Sequence, residues 1–99
     1  MMQVHVTLYG ALRVVAGRQL IHLTFEAPAI TMQQLLDALV TTYPSIRTYL
    51  LDSSFQTLHP NARVQINGQR VPHSSADQQI LQDNDRITFL VPHSGEKAG

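Results

Sequence analysis

The sequence predicts an α+β domain built as one mixed sheet with one main helix packed across one face. Three observations predict it. Two stretches near the N-terminal end alternate apolar and polar residues, a central stretch carries apolar residues at helical spacing, and further alternating stretches, one with a tight-turn signature, complete the chain.

Residues Gln3 to Tyr9 place Val4, Val6 and Leu8 on one side and His5, Thr7 and Tyr9 on the other, the period of a half-buried strand. The stretch GALRVVAGR, Gly10 to Arg18, has glycines near both ends and reads as a hairpin connection. Gln19 to Glu26 then alternates again through Ile21, Leu23 and Phe25, giving a second, antiparallel strand. After Pro28 the period changes. Met32, Leu35, Leu36, Leu39, Val40 and Tyr43 follow the spacing of an amphipathic helix, and Thr31 with Gln34 forms a capping box that satisfies two backbone donors at its start. Pro44 stops the helix, because a residue before proline is pushed out of the helical region.

From Ser45 to Pro60 the pattern is irregular, with Ile46, Tyr49, Leu50 and Phe55 available to cover a core edge, in part as a short helical turn. In ARVQINGQRVP, Asn67-Gly68 supplies the positive-φ pair of a type I′ turn between Val64–Ile66 and Gln69–Val71. Val64 and Val71 then oppose each other on the inward face, and Gln65 and Arg70 share the outward one. A helical turn is predicted around Asp77 to Ile80, a polar turn at Asp83-Asn84-Asp85, and a last strand from Arg86 to Val91 with Ile87, Phe89 and Val91 inward.

A helix between two pairs of strands is buried most economically across one face of a single sheet, with the last strand parallel to the first at its centre. That arrangement is the β-grasp, or ubiquitin-like, architecture. A ferredoxin-like sheet needs a second full-length helix between Val71 and Arg86, where the apolar periodicity for one is missing. Residues 1–92 are therefore read as the domain and residues 93–99, PHSGEKAG after its proline, as a flexible C-terminal tail.

Ninety-nine residues with 43% hydrophobic and 14% charged content fit one small globular domain, and no apolar run approaches the roughly 20 residues of a membrane span. The start MMQVHV lacks a basic region followed by an apolar segment, so a cytoplasmic location is expected. Seven basic against seven acidic residues remove the charge footprint of a nucleic-acid binder. Zero cysteines exclude disulfides, thiolate metal sites and a cysteine nucleophile.

The segments VTLYGALRVVAG, VQINGQRV and LQDNDRITFLVPHSG together resemble the MoaD/ThiS group of ubiquitin-like sulfur carriers, above all the small subunit of molybdopterin synthase, over Val4 to Gly95. The resemblance implies a non-catalytic carrier. Its C-terminal glycine carboxylate would be activated as an acyl adenylate by a ubiquitin-activating-type enzyme that uses ATP, then converted to a thiocarboxylate for a biosynthetic substrate. The chain itself would bind no cofactor. The tail would enter the active site of the synthase large subunit, where a glycine lets backbone thread a narrow channel. Members end in two consecutive glycines; here Gly95 is followed by Glu96, Lys97, Ala98 and Gly99. Three readings follow: trimming exposes Gly95, Gly99 is activated directly, or the fold persists as a protein-interaction module without carrier chemistry. Thiamine synthesis or another sulfur-transfer route is the alternative destination.

For partner binding the expected residues are Tyr9, Arg70 and Leu90 on the outer sheet face, followed by Pro92, His93 and Ser94 leading into the tail. Tyr9 and Leu90 are apolar positions among polar His5, Thr7, Gln65 and Thr88. The five histidines show no i, i+3 or i+4 pairing and no clustered carboxylates, so they are read as solvated residues, with His5 and His22 sharing the outer face. Gly10 and Gly17 lack the Lys-Ser/Thr of a phosphate loop, and Asp83 and Asp85 are turn formers.

Overall fold

The alternation of MQVHVTLYG becomes strand β1, Met2–Gly10, whose even-numbered residues Met2, Val4, Val6 and Leu8 are all buried. The computed structural model describes residues 1–52 and 58–92. Chain order continues with helix α1 (Ala11–Ala16), strand β2 (Leu20–Phe25), strand β3 (Ala29–Thr31), and helix α2 (Met32–Thr42). A 3₁₀ turn (Pro44–Ile46) and helix α3 (Arg47–Leu50) follow. After the undescribed segment come β4 (Arg63–Ile66), β5 (Gln69–Val71), helix α4 (His73–Ala76), β6 (Ile80–Gln82) and β7 (Arg86–Val91).

Five strands form one sheet in the order β2-β1-β7-β4-β5. β1 runs antiparallel to β2 and parallel to β7, and β4 is antiparallel to both β7 and β5. This is the predicted β-grasp sheet, with the last strand at its centre. One face is dry: Val64, Ile87, Phe89 and Leu8 pack with Met32, Leu35, Leu36 and Leu39 of α2 in a single apolar cluster. Each such side chain contributes roughly 1.5–3 kcal/mol on burial, which makes the helix-to-sheet layer the main source of stability. The described residues bury no polar or charged residue.

Local signals explain where α2 and the hairpin lie. Thr31 Oγ1 accepts from the Gln34 N–H at 3.1 Å and the Thr31 N–H donates to Gln34 Oε1 at 2.8 Å, completing the capping box. Tyr43 follows the helix and Pro44 opens the 3₁₀ turn. In the β4–β5 turn, Asn67 takes φ 52° and Gly68 φ 82°. The Asn67 side chain also accepts from the Arg86 N–H at 2.9 Å and donates to Asp85 Oδ1 at 3.0 Å, tying the hairpin to the start of β7.

Two expectations need correction. The Gly10–Arg18 connection holds α1 rather than a plain hairpin link. Ala11 and Leu12 are buried, Val15 and Ala16 pack against the same core, and six residues are too few for a helical period to stand out. The helical turn expected at Asp77 to Ile80 lies earlier, at His73–Ala76, launched by Pro72 in extended conformation. Ile80–Gln82 is instead β6, paired antiparallel with β3 in a small second sheet that alternation cannot reveal in three-residue strands. Of the residues expected to cover the core edge, Ile46 and Leu50 are buried, Tyr49 keeps 37% of its surface exposed, and Phe55 lies outside the described residues.

Candidate docking face and tail exit

The outward residues of each strand follow from the same pleat that buries the inward ones. On β1 these are Gln3, His5, Thr7 and Tyr9; β7 contributes Arg86, Thr88 and Leu90 in register with His5, Thr7 and Tyr9. β4 adds Arg63 opposite Leu90 and Gln65 opposite Thr88, and β5 adds Arg70 opposite Gln65. Tyr9, 43% exposed, and half-buried Leu90 therefore sit side by side on adjacent central strands, as their sequence positions predict.

Tyr9, Leu90, Thr88, Gln65, Arg63 and Arg70 ring a shallow hollow of about 320 Å³. An adjoining hollow of about 490 Å³ shares Arg63 and Arg70 and continues over Pro72 and His73. An apolar centre framed by two guanidinium groups suits a protein partner with an apolar knob and an acidic rim. Arg63 is a residue that sequence reasoning missed. Its signal lay in ARVQI, where inward Val64 requires an outward residue on each side.

The face is also electrostatically one-sided. Arg63, Arg70 and Arg86 are exposed on it, with His5 and His22 in edge-to-face contact at a centroid distance of 4.7 Å. No outward position of the five strands is acidic. Asp37 lies on α2, Asp77 follows α4, and Asp83 and Asp85 hold the turn before β7, where Asp83 Oδ1 accepts from Gln3 N–H and Asp85 Oδ2 from Gln82 N–H. A chain with no net charge thus presents a basic face. Among the described residues, no three His, Cys, Asp or Glu side chains come together as a metal site, and no helix is long and apolar enough to cross a membrane.

β7 leads the chain out of the sheet beside the hollow. Val91 pairs with Gly10, and exposed Pro92 follows directly. Gly10 is required at this point. It has φ 69° and ψ −137°, and a Cβ there would lie 2.0 Å from the Val91 carbonyl oxygen. The end of β1 can therefore close against the last residue of β7 only without a side chain. His93, Ser94, Gly95 and Gly99 lie outside the described residues.

Solved structures similar to this chain share the fold throughout. Small archaeal modifier protein 1 from Methanosarcina acetivorans superposes with a TM-score of 0.77 at 27% identity, covering 96% of this chain and 97% of that one. CysO from Mycobacterium tuberculosis gives 0.67 at 26% identity over 90% of this chain and 98% of its own. A Pyrococcus furiosus protein assigned as subunit 1 of molybdopterin converting factor gives 0.71, covering 93% of this chain and 99% of that one; at 14% identity this likeness shows the fold alone. No protein of curated function matches the sequence. The model of the ThiS family matches residues 6–95, from within β1 to the glycine beyond the last strand, and the chain belongs to that family of small ubiquitin-like sulfur carriers.

Proposed function

We propose that this sulfur carrier serves as the small subunit of molybdopterin synthase, carrying sulfur as a thiocarboxylate on Gly95 after removal of Glu96 to Gly99. The observation that carries the choice of Gly95 is the reach of the family match, which runs past β7 and ends on that residue. The exit at Pro92, beside Tyr9 and Leu90, supports a partner that grips the outer face while it takes the tail. Family membership implies a ubiquitin-activating-type enzyme as one such partner; the synthase large subunit is the second.

The chemistry uses the chain's own carboxylate and the partner's ATP. The Gly95 carboxylate oxygen attacks the α-phosphorus, pyrophosphate leaves, and a mixed anhydride with AMP forms. The terminal sulfur of a donor persulfide then attacks the acyl carbon and AMP departs, leaving an acyl disulfide; a thiol attacks the donor-side sulfur, the S–S bond breaks, donor and thiol are joined as a disulfide, and the thiocarboxylate is released with one oxygen replaced by sulfur. Tyr9, Leu90, Arg63 and Arg70 hold the partner, and Pro92, His93 and Ser94 lead the chain toward its active site. The body of the domain takes part only through binding.

Intact-mass spectrometry of the chain isolated from its native cell, with and without incubation with an activating enzyme, ATP and a sulfur donor, tests this. Loss of residues 96–99 together with one oxygen-for-sulfur exchange is the expected result; a full-length chain unaltered under all conditions refutes it and leaves the interaction module. A second reading, a modifier joined through Gly95 to other proteins, is favoured by the 27% identity to the archaeal modifier. Covalent adducts of higher mass in cell extract, absent for Gly95→Ala, would select that reading over the thiocarboxylate.

A further inference from the structure

Amine nucleophiles are distributed unevenly along the chain. Six arginines, Arg13, Arg18, Arg47, Arg63, Arg70 and Arg86, supply every side-chain cation of residues 1–95 apart from histidine, and the one lysine of the sequence is Lys97. There is no cysteine. A guanidinium keeps its proton and spreads its charge, so it does not attack an acyl carbon, whereas a lysine or terminal amine does so once it sheds a proton. Hydroxyl groups are weak nucleophiles without an adjacent base. Residues 1–95 therefore hold one amine able to form a stable amide, the α-amine of Met1.

The sheet keeps that amine away from the tail. β1 and β7 are parallel and Val91 pairs with Gly10, so the chain leaves the sheet at the C-terminal end of β1. Met1 precedes Met2 at the opposite end. The 9 residues Met2–Gly10 extend over about 26 Å at the rise of a strand. From Pro92 to Gly95 even a fully extended chain spans at most about 11 Å. Gly95 therefore cannot reach the Met1 amine of its own chain. The sheet cations near the exit are Arg63, opposite Leu90, and Arg70 beyond it on β5, both exposed. Arginine there supplies charge for docking without offering an amine.

We propose that the domain shields an activated Gly95 from every amine of its own chain, and that Lys97, lost with residues 96–99, is the one side chain that quenches an activated end. An amine that meets an acyl adenylate ends the carrier cycle. Its nitrogen bonds to the acyl carbon, the bond to the AMP oxygen breaks, AMP leaves, the amine's proton passes to solvent, and the end is locked as an amide. Lys97 stands two residues before Gly99, close enough along the chain to close such a ring on a Gly99 adenylate. Activation at Gly99 is thereby diverted into an internal amide, whereas activation at Gly95 lasts until the donor persulfide arrives. On the reading of Gly95 as the activated residue, on which this rests, hydrolysis of the Gly95–Glu96 peptide bond must come before activation. Trimming removes the quenching amine and frees the carboxylate in one step.

Chains whose terminal acyl carbon is activated as a thioester test this without an activating enzyme, so the outcome is separate from whether a thiocarboxylate forms in the cell. Two are compared, the full chain activated at Gly99 and the chain ending at Gly95, which keeps every described element and whose fold circular dichroism verifies. Both are held in dilute, mildly alkaline solution, where amines shed protons and only reactions within one chain count. Intact mass should show the Gly95 thioester passing only to the free acid. The full chain should give a product lighter than its acid by one water, and Lys97→Arg should abolish that product. In the chain ending at Gly95, Arg63→Lys sets an amine beside the exit and should likewise form an internal amide. A small amine added to separate samples, which every thioester must acylate, verifies reactivity. An internal amide in the unsubstituted chain ending at Gly95 overturns the proposal. So does a full chain that only hydrolyses, or an Arg63→Lys chain as inert as its parent.

Discussion

Replacing Gly10 by alanine tests the junction where the first strand, the first helix and the exit of the chain meet. The added Cβ would stand 2.0 Å from the Val91 carbonyl oxygen, 3.0 Å from its carbon and 3.2 Å from Leu90 Cδ1. Two of these neighbours are backbone, so relief requires the end of β1 to part from β7. The backbone at φ 69° and ψ −137° adds strain of about 1–3 kcal/mol for any residue with a side chain. Together these predict a loss of about 3 kcal/mol, which in a domain of this size lowers Tm by about 12–24 °C. Gly17→Ala is the internal control. Its φ of 72° and ψ of 13° are left-handed helical, and nothing lies within 4 Å of the added Cβ, so only the backbone term of about 1–2 kcal/mol remains. Urea unfolding of both variants, read by circular dichroism, gives the two losses on one scale. Equal losses would refute the claim that close approach to β7, rather than backbone conformation alone, demands glycine at position 10.

Leu90→Asp on the outer face should leave stability within about 1 kcal/mol while weakening capture by the activating partner tenfold or more, measured by titration calorimetry and by the rate of adenylate formation. Arg63→Glu should slow association about tenfold at low salt, an effect that shrinks as ionic strength rises and that stopped-flow measurements at several salt concentrations would follow. Thr31→Ala should remove about 1 kcal/mol by opening the capping box of α2, and pairing it with Gln34→Ala should add less than the sum, because both side chains serve one motif.

The parts of the fold legible in the sequence are those where one face is buried over enough residues to set a period. Met2 to Leu8, Met32 to Val40 and Ile87 to Val91 each repeat their pattern three times or more, and the register of the central strands follows from which residues must face α2. The turn chemistry of Asn67-Gly68 is equally direct. α1 escaped because ALRVVA offers fewer than two helical turns, and flanking glycines suit a hairpin as well as the capped helix they form. β3 and β6 escaped because three residues cannot distinguish strand from loop. Their pairing is set by tertiary packing of buried Ile30 and Leu81. On the candidate site, Tyr9, Leu90, Arg70 and Arg63 all face outward by alternation, but that Arg63 stands beside Leu90 required the β4–β7 register, which joins segments more than twenty residues apart.

The topology itself decides which residues flank the point where the chain leaves the sheet. A last strand at the centre of a mixed sheet is flanked on both sides, here by β1 and β4, so the segment leaving it emerges between the end of one neighbour and the beginning of the other. Parallel pairing puts Tyr9 and Gly10 at that end of β1, and antiparallel pairing puts Arg63 at that end of β4. An edge position for β7 would have exposed one neighbour only and left a free backbone edge next to the exit, open to any extended peptide. Central placement removes that edge and supplies an apolar and a cationic contact together. Selectivity at the exit then depends on side chains, which differ among members of a shared fold, rather than on backbone pairing. On the proposed function, a partner that takes the tail meets Tyr9, Leu90 and Arg63 beside the exit, and substitutions on this face are therefore predicted to alter capture without altering the fold.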